Sequence, residues 1–287
     1  MRVVQISDTH LLPGCSVVRA NFEIAADHVN RLRPDLVVHT GDAIGLCPDS
    51  QVERDFAAAC LEAIEAPLRV LPGNHDVGET GPGAWLGFDA TSERVQRHRA
   101  AFGGDRFAET FDGWALVGLN SEIIGSGIPE EDEQWAWLDE TLAATRDSRF
   151  VVFQHMPVWR PRGHPADAIV SIPAPARVRL LRAFRGRRLE AIGTGHLHQP
   201  RRRLRGDLLE LWAPATSLVP NVGRGSLGFV EWRFHRDRVE TFLHEPPGLV
   251  AKRFREVPEF ATGIAELELS RARAEPPPGR PGPPRGL

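Results

Sequence analysis

The chain has 287 residues, of which 41% are hydrophobic and 25% charged, a composition that excludes wholesale disorder and, at this length, supports a core without disulfides. Basic and acidic residues nearly cancel, 35 against 38, which argues against a dedicated polyanion binder such as a nucleic-acid protein. Tyrosine is absent, so phenolic nucleophiles are excluded; three cysteines with no CxxC pair argue against a disulfide framework and point to a reducing, cytoplasmic compartment.

Residues 2–6 are β-branched and apolar and read as a buried strand. Residues 17–32 carry Phe22, Ala25, Ala26, Val29 and Leu32 at helical spacing and stop before Pro34. A second strand is predicted over 35–40, a helix over 49–64 capped by Asp49 or Ser50, and a third strand over 68–71 ended by Pro72-Gly73. This β-α-β-α-β order calls for a mainly parallel sheet with crossover helices. Residues 77–90 are a Gly/Pro-rich loop, 92–102 a helix, and 107–111 with 114–119 a hairpin turned by Asp112-Gly113. A helix over 130–145, a strand over 149–154, a helix over 175–184 and a strand over 189–194 follow. Strands without helices are predicted from 201 to 243, an antiparallel finish. The fold class expected is α/β, a four-layer α-β-β-α sandwich of two mixed sheets flanked by helices. Residues 1–245 are expected to form the catalytic domain. Residues 246–287 form an extension whose Pro-rich end, 275–287, has too few apolar groups to offset ordering entropy. No apolar run approaches the roughly 18 residues that a membrane span requires.

Five polar clusters stand where predicted strands end: Asp8-Thr9-His10, Gly41-Asp42, Gly73-Asn74-His75-Asp76, His155, and Gly195-His196-Leu197-His198. Ligands of α/β sheets bind outside the carboxyl ends of parallel strands, so these segments should converge on one edge. In extended chain, residues i and i+2 share a side, so Asp8 with His10, and His196 with His198, each present two groups together. Asp, Asn and His without thiolates suit Mn, Fe, Zn or Co. Seven such side chains exceed the needs of one ion, and two ions sharing a carboxylate would use them all, with Asp42 the candidate bridge.

The pattern DTH, GD, GNHD, H and GHxH resembles the signature of the calcineurin-like metallophosphoesterases, over residues 2–199. ISDTHL, VLPGNHD, EQWAWLDETL, His155-Met156-Pro157 and the APATS stretch at 213–217 resemble the bacterial branch that hydrolyses cyclic nucleotides and glycerophosphodiesters. Met156 departs from the pattern, since relatives often carry a second histidine there. The resemblance implies two divalent metal ions, one held by Asp8, His10 and His198, the other by Asn74, His155 and His196, with Asp42 bridging. It also implies that His75 faces the substrate, with Asp76 holding its other ring nitrogen as a supporting catalytic group. A metal-activated water would then attack phosphorus in line, with His75 as proton donor to the leaving group.

The remaining residues have plainer readings. His39 is expected to be a hydrogen-bonded core histidine, and His28 and His98 surface residues. His164 is left open between a substrate contact and an ordinary loop residue. Arg201–Arg203 read as a solvated strand face, with a phosphate clamp as the alternative, and Asn120-Ser121, which end the hairpin, are candidates to reach the pocket. Trp135 and Trp137 are expected to pack a helix. The expected function is hydrolysis of a small-molecule phosphate ester, foremost a phosphodiester, without nucleic acid or membrane as partner. A phosphomonoesterase is the close alternative, with a nuclease and a non-catalytic scaffold behind it.

Overall fold

A computed structural model describes residues 1–80, 87–160, 170–221 and 223–274. His164 and the Pro-rich stretch 275–287 lie outside the described residues. Among the described residues, eleven strands form two mixed sheets. In the first, β1 (Arg2–Ile6) is flanked by β2 (Leu36–Thr40) and then β3 (Leu68–Leu71), all parallel. On its other side run β10 (Phe229–Phe234) and β11 (Val239–His244), both pairings antiparallel. In the second sheet, β5 (Trp114–Gly118), β6 (Arg149–Phe153), β7 (Arg188–Thr194) and β9 (Leu208–Trp212) are parallel neighbours in that order. Antiparallel β4 (Phe107–Phe111) and β8 (Arg201–Arg205) form its edges.

The expected antiparallel finish is therefore divided. β8 and β9 complete one sheet, β10 and β11 the other, and β9 runs parallel to β7. Local pattern marks a strand but not which sheet takes it, because pairing is decided by packing.

The strands are buried on both faces, and alternate residues build the middle layer. Val3, Val38, Trp232 and Phe234 from one sheet meet Trp114, Leu116, Val151 and Phe153 from the other. The outer faces are covered by helices. α1 (Ser16–Leu32) buries Val18, Phe22, Ala25 and Val29, and ends in a left-handed cap at Arg33 ahead of Pro34. α2 (Gln51–Leu61) is capped by Ser50, whose side chain accepts the Glu53 amide, and it lies on the same sheet as α1. The short turn α3 (Asn74–Val77) and α4 (Ser92–Phe102) follow. α5 (Pro129–Ala144) and α6 (Ala174–Ala183) cover the second sheet through Trp135, Leu138, Leu142, Ala176 and Leu180. The result is the four-layer sandwich expected. α7 (Pro258–Ala274) was not foreseen. Among the described residues, no helix is long and apolar enough to cross a membrane.

His98 corrects one expectation. It is fully buried, with Nε2 donating to the Val70 carbonyl at 3.2 Å and its ring against Phe102. Trp135 is buried among helix and sheet residues, as expected. The strand bearing Arg201–Arg203 is largely solvated, with Arg201 lying 4.8 Å over the Trp212 ring.

Candidate metal centre

Strand order places the ends of β1, β2 and β3 next to one another, facing the ends of β6 and β7 across the sandwich. Backbone hydrogen bonds continue past the strand ends and lock the loops together. The Asp8 amide donates to Gly41, His10 to Asp42 and Leu11 to Ala43, all within 3.0 Å. The Gly195 amide donates to His155 at 2.9 Å, joining the two loops of the second sheet.

Among the described residues, five of the seven non-glycine residues with positive φ are Asp8, His10, Asp42, His196 and His198. The left-handed region is unfavourable for side chains beyond glycine, and Asp and His tolerate it better than most. Such strain persists only where surrounding structure over-determines it, and here all five residues belong to one cluster of potential ligands. Glycine is required at two neighbouring positions. A Cβ at Gly41, whose φ is +94°, would lie 2.5 Å from His155 Nδ1. One at Gly195 would collide with Ser7 Oγ and the Asp8 carboxylate.

The seven side chains singled out from the sequence converge. One ligand atom each from Asp8, His10, Asp42 and His198 lie within 4.8 Å of one another, and so do those of Asp42, His155 and His196. Asp42 is common to both groups. Within the first, His198 Nε2 stands 3.2 Å from Asp8 Oδ1 and 3.0 Å from His10 Nε2. Within the second, Asn74 Oδ1 stands 3.2 Å from His155 Nε2 and 3.1 Å from His196 Nδ1. Asp42 Oδ2 lies between, 3.7 Å from His10 Nε2 and 3.4 Å from His155 Nε2.

Backbone carbonyls fix the ring tautomers. Nδ1 of His155 donates to Thr40 at 2.7 Å, and Nδ1 of His198 to Leu218 at 2.6 Å. Each ring therefore turns Nε2 inward, the arrangement that orients metal-binding imidazoles. Ser217, in the stretch 213–217, donates to the Asp8 carbonyl at 3.0 Å. Burial alone would raise the Asp42 carboxyl, but the charge of His155 and then of His75 outweighs it and holds the group well below its ordinary value. Burial likewise opposes protonation of His155, and Asp42 overrides it, raising the ring well above its ordinary value. His198 is raised in the same way by Asp8. The pocket thus draws positive charge, and its nitrogen and oxygen donors fit divalent cations without a thiolate. The three cysteines are free and stand outside both groups.

His75 is buried, with Nε2 3.9 Å from Asp42 Oδ2. Its amide donates to Asp42 Oδ1 at 2.9 Å and its Nδ1 to the Gly45 carbonyl at 2.6 Å. The sequence reading gave Nδ1 to Asp76, and the structure corrects this. Both Asp76 oxygens accept backbone amides instead, from Ala43, Ile44 and Gly73 at 2.8–3.2 Å. Asp76 therefore pins the loop of Asp42 to the loop of Asn74. His39 is a core histidine, as expected: it donates from Nε2 to Thr9 at 2.9 Å and accepts the Gly41 amide at Nδ1, and burial lowers it to about 4. Asn120 is buried and donates its amide to Gln134 at 2.8 Å. Ser121 Oγ accepts the Met156 amide at 2.9 Å, directly behind His155.

Glu122 escaped the sequence reading. It is buried, Oε1 accepts from Ser121 Oγ at 2.9 Å, and Oε2 has no partner. Burial pushes its pKa from 4.5 up to about 8, with Glu79 adding to the rise and His155 opposing it. Between those values the folded chain holds a proton that the unfolded chain has released, so stability falls as pH rises through the window. Glu122→Gln is neutral throughout and lacks this loss. Its melting temperature relative to the unaltered chain should rise by about 3–6 °C between pH 5 and pH 8.5. A difference independent of pH would show that Glu122 is charged in the fold.

Comparison with known proteins agrees with this geometry. The family model for calcineurin-like phosphoesterases matches residues 1–200. The chain is 27% identical over 188 residues to the serine/threonine-protein phosphatase CPPED1 of Danio rerio, covering 61% of this chain and 58% of that protein, so the match spans little more than half of the relative. It is 26% identical over 261 residues, 87% of each chain, to a probable glycerophosphodiester phosphodiesterase GpdQ of Arcobacter nitrofigilis. It is 30% identical over 230 residues, 75% of each, to the 3',5'-cyclic adenosine monophosphate phosphodiesterase CpdA of Pseudomonas aeruginosa. The crystal structure of a dimetal phosphatase from Danio rerio shares the fold, with a TM-score of 0.59 at 15% identity over 86% of this chain and 96% of that one. With the family match covering all five strand-end loops, the chain belongs to the calcineurin-like phosphoesterase family.

Proposed function

We propose that this chain is a two-metal phosphodiesterase acting on a small diester, a cyclic nucleotide or a glycerophosphodiester. The observation that carries the reading is the pair of buried donor groups sharing Asp42. Asp8, His10, Asp42 and His198 would hold one divalent ion, and Asp42, Asn74, His155 and His196 the other. When bound, such a pair supplies a nucleophilic hydroxide near neutral pH and neutralises charge on phosphoryl oxygens.

The chain's own residues do the rest. Thr40 and Leu218 carbonyls keep His155 and His198 aimed inward. His75, anchored at Nδ1 by Gly45, directs Nε2 toward the centre; as the imidazolium, which burial opposes and the neighbouring Asp42 carboxylate supports, it serves the leaving oxygen as hydrogen-bond and proton donor. Asp76 acts by position, holding three backbone amides that fix the loops of Asp42 and Asn74. Three free cysteines fit a reducing, cytoplasmic setting.

A diester substrate is favoured because similarity to the two phosphodiesterases covers 87% and 75% of the chain, against 61% for the phosphatase. That phosphatase match keeps phosphomonoester hydrolysis as the second reading. The test is a panel of cyclic AMP, glycerophosphodiesters and alkyl phosphomonoesters with Mn, Fe, Zn and Co. At least one diester should exceed every monoester in kcat/KM by about tenfold, roughly 1.4 kcal/mol of transition-state discrimination. The reverse order would establish the second reading.

A further inference from the structure

The C-terminal segment reaches the centre from outside the strand-end motifs. Residues 250–267 run as an extended stretch, a short 3-10 turn at Phe254–Glu256 and the first half of α7. Hydrogen bonds tie this strap to the loop that orients His198. The Val219 amide donates to Lys252 O at 2.9 Å, and Arg253 Nη1 to Asn221 O at 2.8 Å. Asn21, buried on α1, links three parts: its Nδ2 donates to Ser217 O and Val250 O, and its Oδ1 accepts the Val250 amide at 2.8 Å.

Phe254 then stands against the imidazoles. Its ring meets that of His10 edge-on at 4.8 Å and 82°, lies 5.5 Å from His198, and faces His75 at 6.1 Å and 28°. Phe260 backs it at 5.1 Å. Phe254, Val257 and Phe260 pack with Leu12 and Cys15 from the loop after β1, Leu46 from the loop after β2, and Leu218. These three loops carry Asp8 and His10, Asp42, and the carbonyl that orients His198. Gly263 lets α7 close on Leu46, since a Cβ there would collide with Leu46 Cδ1. A glycine inside a helix is otherwise unfavourable, so its presence marks this close approach.

We propose that the strap, keyed by Phe254, is a positioning device for one half of the centre, that of Asp8, His10, Asp42 and His198. It holds three ligand loops in register and closes their flank to water, so that metal affinity of this half depends on the C-terminal segment. This inference rests on the two-ion reading. Phe254 touches the ring sides of the histidines and is a positioning residue, not a catalytic one.

The test is calorimetric titration of the metal-stripped full chain with Mn2+, together with amide hydrogen exchange. Phe254→Ala should weaken one of two Mn2+ sites by about tenfold, the size typical of lost supporting contacts, and leave the other within about twofold. Phe254→Leu, which keeps an apolar filler and the fold, should weaken the same site by about threefold. Amides of residues 8–12, 44–47 and 217–219 should exchange faster in both variants, and those of 154–157 at the unaltered rate. Leu180→Ala, which opens a buried cavity under α6 away from the strap, should shift neither site and none of these amides. Equal weakening of both sites, no weakening, a like effect from Leu180→Ala, or faster exchange in all loops or in none would overturn the proposal. An unaltered chain that binds fewer than two Mn2+ would count instead against the two-ion reading.

Discussion

Asp42→Asn is expected to leave a folded chain that binds neither ion and hydrolyses phosphodiesters at least about a thousandfold more slowly, a loss of roughly 4 kcal/mol or more in transition-state stabilisation. Asp42 is the one side chain common to both donor groups, so a single change reaches both. Its Oδ2 sits among His10, His155 and His75 at 3.4–3.9 Å. Asparagine preserves the shape and can still accept the His75 amide, and it tolerates the left-handed backbone at φ 58°. It removes the negative charge and sets an amide donor among inward-facing lone pairs. Because the charges of His155 and His75 outweigh burial at this carboxylate, removing it leaves His155 without its partner, and the metal-free variant should melt several degrees below the metal-free parent, a loss of about 3 kcal/mol. What should vanish is the rise in melting temperature on adding Mn2+. Metal content and a melt with and without Mn2+ check this. A variant that retains one tightly bound ion would show that Asp42 is not shared.

His75→Ala should behave differently. Both ions should stay, because His75 offers no atom to either donor group. Turnover of an alkyl diester, whose leaving alkoxide needs a proton, should fall by about 10²–10³-fold. Turnover of a p-nitrophenyl diester should fall by less than about tenfold, since nitrophenolate departs without one. The split between substrates separates proton donation from positioning. Equal losses on both would remove the acid role, and loss of metal would place His75 among the ligands.

The site was more legible than its supports. Strand ends of a parallel sheet converge whatever lies between them, which brings Asp-x-His and His-x-His together; the extended spacing of i and i+2 does not place them, since all four residues take the left-handed region and His196 and His198 fall in different donor groups. Asp112-Gly113 marked its hairpin because both residues take the positive φ that a tight turn demands. Asp76 was misread because its partners come from loops brought in by the fold, and adjacency to His75 suggested a contact that the backbone turns away. His98 was misplaced although Val95, His98 and Phe102 share a helical face. Its charge-rich helix hid the stripe. α7 was likewise readable from Phe260, Ile264 and Leu267 at spacings of four and three, but nothing local shows that Phe254 reaches His10. The carbonyls of Thr40, Gly45 and Leu218 have no sequence signature at all.

The most direct test is hydrolysis of bis-p-nitrophenyl phosphate by the metal-stripped chain against added Mn2+. The rate should rise to a break at two Mn2+ per chain and then level off. Full activity at one ion per chain, or no hydrolysis with any divalent cation, would contradict a two-metal phosphodiesterase.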